Sequence, residues 1–208
     1  LIPADDRYEI RMQGAMMTPG YVGQSADDLY DEDGFLRIGD YVDFIVPGDI
    51  SRGLKFAGRI AEEFKLANGT WVAGGRLRAQ LVQSLSPLVS DALICGINDD
   101  YVAALIWLNR AAAERKLDRE LPTTAEGLAS DAMLRETIQN NLSKHNRENP
   151  GSSTRLARVA FLVEPPSTDG QEISDKGTVN QSVALQRRAA DVARLYAQDP
   201  DDSVIILE

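Results

Sequence analysis

The sequence predicts an α+β protein, with a β-rich segment over residues 1–58 followed by an α+β domain over 59–208 that holds a small, mostly antiparallel sheet flanked by helices. Three observations carry this. Before residue 74 the apolar residues recur at strand period between turn signals, and no helical stretch of useful length occurs. After Gly58 helical-period stretches interleave with short apolar runs. At 208 residues the chain suits one or two small domains with a real core.

Taken in order, "YEIRMQG" sets Tyr8, Ile10 and Met12 against Glu9 and Arg11, the alternation of a half-buried strand. "TPGY" and "DEDG" are turns. "GFLRIGDYVDFIV" reads as two extended pieces interrupted at Gly39-Asp40, and "PGDISRG" turns the chain into "LKFAG". "GRLRAQLVQSL" (75–85) aligns Leu77, Leu81, Val82 and Leu85 on one helical face, bounded by Pro87. "SDALICGI" and "VAALIWLN" flank the turn "NDD" and predict adjacent antiparallel strands. A helix is expected from about 109 to 117, then a Pro-Thr-Thr linker near 122. Leu134, Ile138 and Leu142 mark a helix over 131–148 that stops at Asn149-Pro150-Gly151. "RLARVAFLVE" is another strand. "QSVALQRRAADVARLY" predicts one amphipathic helix with Leu185, Ala189, Val192, Leu195 and Tyr196 on its buried face.

Charge and cysteine usage exclude several classes. The net charge is −10, and residues 1–50 alone hold 11 acidic and 3 basic side chains. Such a surface repels phosphate backbones, so no nucleic-acid partner is expected. No apolar run approaches the roughly 18 residues of a membrane span, and no secretory signal is visible. The single cysteine, Cys95, lies in an apolar run and reads as an inert core thiol in a reducing, cytoplasmic setting. One lone histidine, His145, cannot build a zinc site; it is expected to be exposed and structural, and no metal is predicted. Trp71 and Trp107 are expected in the core. The chain starts at Leu1 and reads as a fragment or processed product.

Four signatures then occur in a fixed order: "GAMMTPGY" (14–21), "GFLRIGD" (34–40), "FAGRIAEEFKL" (56–66) and "EISDKG" (172–177). Together they resemble the C-terminal part of the adenylate-forming superfamily of acyl- and aryl-CoA synthetases. "GRIAEEFKLANGTWV", "NPGSSTR" and "EISDKGTVNQ" are most similar to the feruloyl-CoA synthase family, over nearly the whole chain. The resemblance implies a two-step ligase. A carboxylate attacks ATP to give an acyl-AMP and pyrophosphate, and the thiol of coenzyme A then displaces AMP. Residues 1–58 would be the remnant of a β-barrel subdomain of a large N-terminal domain. Residues 59–208 would be the small domain that rotates between the two steps.

The resemblance also assigns roles. Asp40 falls where the family's aspartate accepts hydrogen bonds from both ribose hydroxyls, and a carboxylate has the two acceptors this needs. Arg59 matches the boundary arginine that contacts ribose and nearby nucleotide oxygens. Ala61, with Glu62 beside it, occupies the hinge, which need only absorb a φ/ψ change. Gly69 in "KLANGTWV" lies by the expected pantetheine tunnel, where a missing Cβ lets backbone approach a narrow ligand. Lys176 falls at the adenylation lysine, a point cation bridging the carboxylate and the α-phosphate. Many relatives place a glycine before that lysine; here Asp175 precedes it and Gly177 follows. Each position also has a plainer reading: a turn aspartate, a surface ion pair, a two-residue Asn-Gly hairpin turn at 68–69, and a solvated loop lysine.

The implied ligands are ATP or AMP and coenzyme A, with Mg2+ accompanying ATP but not held by this chain. No Ser/Thr-rich phosphate loop or acyl pocket is present, so the chain alone is expected to be inactive and to depend on the missing N-terminal domain. Exposed edges in residues 1–58 would favour self-association. Two other readings stay open: a long-chain acyl-CoA ligase, since "FKLANGTWV" is also similar to that family's pattern, and a non-catalytic α+β interaction module.

Overall fold

Turn chemistry and apolar alternation organise the chain into two units, Leu1–Glu62 and Glu63–Glu208, in a computed structural model that describes residues 1–4, 7–21, 25–174 and 176–207. In the first unit β1 (Ile2–Ala4), β2 (Arg7–Met12), β3 (Leu36–Val46) and β4 (Asp49–Arg59) form an antiparallel sheet in that order. One helical turn, α1 (Ala26–Leu29), precedes β3, and a 3₁₀ turn over Ile60–Glu62 follows β4. The expected interruption at Gly39-Asp40 is absent: β3 runs unbroken for 11 residues. Gly39 has a φ of +78°, a local kink that the ladder to β4 absorbs with a register shift after Tyr41.

This sheet is thinly cored. Leu29, Leu36 and Val42 are its buried apolar side chains among the described residues, whereas Tyr21, Ile45, Ile50 and Phe56 are exposed. The expected alternation of β2 is not expressed as burial, because Arg11 pairs with both Glu9 (2.7 Å) and Asp31 (2.8 Å), half-covering the polar face.

The second unit begins with a hairpin, β5 (Glu63–Lys65) and β6 (Trp71–Ala73), leading into α2 (Gly74–Ser84). β7 (Val89–Cys95) and β8 (Val102–Leu108) pair antiparallel, as their apolar runs predict. Three helices then cross over: α3 (Arg110–Leu117), α4 (Ala125–Ser130) and α5 (Ala132–Glu148). β9 (Leu156–Leu162) returns parallel to β8, and β10 (Val204–Ile206) closes the order β10-β9-β8-β7. Between β9 and β10 lie α6 (Gln181–Arg187) and α7 (Ala189–Leu195).

Both faces of this sheet are covered, which explains why β7, β8 and β9 read as continuous apolar runs. On one face Ala92, Ile94, Ala104 and Ile106 meet Leu77, Leu81 and Leu85 of α2 and its end, Leu128 of α4, and Leu134, Ile138 and Leu142 of α5. On the other, Leu93, Cys95, Leu105 and Trp107 meet Ala184 of α6 and Leu195 of α7. Side-chain caps fix the helix starts: Asn109, Thr124, Asp131 and Asn180 each accept the N–H three residues on. The Pro-Thr-Thr linker therefore already contains the cap of α4.

Four expectations are corrected here. His145 is buried, not exposed: it continues the stripe of Ile138 and Leu142, and its Nε2 lies 3.2 Å from the Thr154 carbonyl. Trp71 is 54% exposed, with the Lys65 ammonium 4.6 Å from its ring centroid, because only Val72 of β6 points into the core; Trp107 is buried as expected. The last helix is two helices, broken at Arg188 (φ −99°, ψ +28°), whose side chain turns inward. Ala189, beyond that break, is consequently exposed rather than on the buried face.

Candidate functional site

The residues singled out from the sequence fall into two groups, one in each unit. In the first, the β3–β4 ladder places Asp40 directly opposite Arg59. Arg59 Nε lies 3.8 Å from Asp40 Oδ1, and both side chains reach solvent. The pair offers two carboxylate acceptors beside a forked donor, the complement of a ribose diol. Asp40 thus lies within a strand and not in a turn. Ala61 and Glu62 follow at once in the 3₁₀ turn where the first unit ends.

In the second unit, Gly69 sits at the β5–β6 hairpin. Leu66 N–H donates to the Thr70 carbonyl and Gly69 N–H to the Leu66 carbonyl, each at 2.9 Å. This is a three-residue loop with a left-handed residue in its last place, not the two-residue Asn-Gly turn expected. Gly69 has φ +84° and open space where a Cβ would lie. Ala67 N–H also bonds the Asp99 carbonyl at 2.9 Å, tying the hairpin to the β7–β8 turn.

The Lys176 turn repeats this bond pattern. Ser174 N–H donates to the Thr178 carbonyl (2.9 Å) and Gly177 N–H to the Ser174 carbonyl (2.8 Å), with Gly177 at φ +77°. The glycine that follows the lysine is the left-handed residue the turn requires. The hydroxyls of Ser174 and Thr178 are 2.8 Å apart, and Ile173 bridges Val179 across the base. Lys176 is exposed at the tip, and among the described residues no ion pair engages its ammonium. Asp175, its acidic neighbour, lies outside the described residues.

The residues that anchor this turn were not foreseen. Glu172 is buried at 2% and accepts Arg188 Nε at 2.9 Å and Arg188 Nη2 at 3.0 Å. Its Oε2 also accepts Ser167 N–H at 2.7 Å. Burial alone would push the Glu172 carboxyl up; the Ser167 amide and the Arg188 guanidinium outweigh it and hold the group below the usual range. At the other end Gln181, also buried, donates Nε2 to the Ala92 carbonyl (3.0 Å) and accepts Ile94 N–H (3.2 Å). The sequence signal for both was their place at the two ends of the motif "EISDKGTVNQ".

Cys95 is 1% exposed, and burial pushes its thiol up to about 12, so it is no nucleophile. Among the described residues no group of three or more His, Cys, Asp and Glu could hold a metal ion, and no helix is long and apolar enough to cross a membrane.

A family model described as AMP-binding enzyme C-terminal domain matches residues 62–200. No curated protein matches the chain. Among solved structures, the chain is 26% identical to the adenylation domain of a carboxylate reductase from Mycobacterium chelonae, with a TM-score of 0.71 over 92% of this chain and 28% of that one. It is 24% identical to the A–PCP didomain of the carboxylic acid reductase from Segniliparus rugosus in complex with AMP, with a TM-score of 0.68 over 92% and 25%. It is 16% identical to o-succinylbenzoate CoA synthetase from Bacillus subtilis in complex with its acyl-adenylate intermediate, with a TM-score of 0.56 over 87% and 31%. The last two likenesses show the fold alone. The chain spans less than a third of the length of each of these three structures.

Proposed function

Because the chain belongs to the family of AMP-binding enzyme C-terminal domains, we propose that it is the C-terminal portion of an enzyme that activates a carboxylate as its acyl-AMP and passes the acyl group to a thiol. Lys176 is its adenylation residue. The observation that carries this is the presentation of Lys176: a solvent-facing cation at the tip of a turn whose base is held by buried polar side chains. A carboxylate and an α-phosphate, both negative, must meet at close range in the first step. A cation placed between them offsets their repulsion and stabilises charge developing on the phosphate.

Asp40 and Arg59 hold the ribose, Ala61 and Glu62 serve as the hinge, and Gly69 lines the path of the pantetheine thiol. Rotation of the second unit about that hinge would withdraw Lys176 after the first step. The anchored turn fits this, since motion then belongs to the whole unit. ATP with its Mg2+, the acyl group and the adenine are held by an upstream domain, which also covers the exposed apolar residues of the first sheet.

For the substrate, the motifs "GRIAEEFKLANGTWV" and "EISDKGTVNQ" favour an aromatic acid of the feruloyl type and coenzyme A as acceptor. The likeness to the adenylation domain of a carboxylate reductase favours a second reading: the same adenylation, in an enzyme that goes on to reduce the activated carboxylate.

Titration calorimetry tests the divided site. AMP and a feruloyl-AMP mimic should bind the full-length polypeptide and leave residues 1–208 without measurable heat. Tight binding of either by the 208 residues alone would sink the proposal.

A further inference from the structure

The segment from 172 to 181 is held at both ends. At its start, Glu172 has its backbone tied to Ser167 and Asn180 (2.9 and 2.8 Å), while its carboxylate is gripped by Arg188 and the Ser167 amide. Arg188 is fixed in turn by the Pro165 carbonyl (3.1 Å) and by the Trp107 ring, 5.2 Å from its guanidinium carbon. Pointing this side chain inward coincides with the break between α6 and α7.

At the end of the segment, Gln181 sits in the first turn of α6 and lies against β7, the edge strand of the sheet. Its amide donates to the Ala92 carbonyl and accepts from the Ile94 amide, as the peptide of a neighbouring strand would. The reciprocal pair of bonds fixes which way the amide points. Lys176 is thereby referenced to the rigid central sheet from two sides.

We infer that Glu172 and Gln181 are positioning residues for Lys176, acting through the backbone of the turn and touching no substrate. The inference rests on the reading of Lys176 as the adenylation residue. A lysine on a free loop samples many positions, and displacement by about 1 Å can cost on the order of 100-fold in rate. Two buried anchors on one short segment remove that freedom.

The test uses the full-length enzyme and separates the half-reactions. Acyl-AMP formation from ATP and acid is measured in one arm, and thioester formation from supplied acyl-AMP in the other. Glu172→Gln and Gln181→Met should each lower the kcat of adenylation by roughly 10- to 100-fold, with the KM for ATP and the thioester rate unchanged. A loss of fold would move both half-reactions together. Gln181→Met removes an uncharged group from uncharged partners, so it decides the matter if Glu172→Gln fails to fold. In a variant that folds, adenylation unaltered or equal losses in both arms would overturn the inference. Lys176→Ala is the reference: if it abolishes adenylation while the two anchor variants are silent, the positioning role alone falls. If Lys176→Ala leaves adenylation intact, the reading beneath it falls as well.

Discussion

Removing Arg188 should be the most damaging single change in the second unit outside its apolar core. Glu172 is 2% exposed and the Arg188 side chain 10%, so Arg188→Met strands a carboxylate with one amide donor and only the weaker charge of Arg187 nearby. Breaking a buried pair from one side costs roughly 3–5 kcal/mol. At about 2–4 °C per kcal/mol for a unit of this size, the midpoint of thermal unfolding should fall by roughly 6–20 °C. Glu172→Gln should cost a similar amount, because a guanidinium is then buried without its partner. The double variant removes both charges and should cost less than the sum of the two single losses, so the cycle yields a favourable coupling of on the order of 1–3 kcal/mol. Circular dichroism melts of the four proteins at neutral pH measure this. A melt of Arg188→Met within about 2 °C of the parent, or additive losses in the double variant, would refute the clamp.

Three other outcomes follow from the geometry. Asp131 caps α5 through Leu134 N–H at 3.0 Å and pairs with Arg119; burial would raise its carboxyl, but these partners hold it below the usual range, as they do for Glu172. Depressed folded values mean stability that is complete above the unfolded range and is lost on acidification, so an acid titration followed by tryptophan fluorescence should show weakening below about pH 4, and Asp131→Ala should cost about 1–2 kcal/mol at pH 7. Asp40→Ala and Arg59→Ala remove a partly exposed pair 3.8 Å apart and should change unfolding by less than about 0.5 kcal/mol, while nucleotide affinity in the full-length enzyme, read by calorimetry, falls. Gly177→Ala meets no atom within 4 Å but must hold φ +77°, so it should cost about 1–2 kcal/mol in melts through backbone strain alone.

Most of the second unit was legible because its elements are long and strongly periodic. Leu134, Ile138 and Leu142 declared α5, and two apolar runs around "NDD" declared β7 and β8. What was lost turned on single polar side chains. Arg188 sits where periodicity predicts an uninterrupted helix, and only its inward ion pair explains the break. His145 looked solvent-facing beside Lys144 but lies on the core stripe, paired to a carbonyl brought near by the following turn. Short elements such as β1 and β10 have three residues each and leave no period to read. For the site, the residue types of Asp40, Arg59 and Lys176 could be singled out from sequence. That Asp40 and Arg59 are ladder partners could not, since pairing across a hairpin depends on a register shifted by bulges.

The measurement that bears most directly on the account is single-turnover kinetics of Lys176→Ala in the full-length enzyme, with each half-reaction followed separately. The account predicts that acyl-AMP formation falls by on the order of 100-fold or more, while thioester formation from supplied acyl-AMP keeps its parent rate. Adenylation at the parent rate in the variant would contradict it, leaving Lys176 a solvated lysine on a well-built turn.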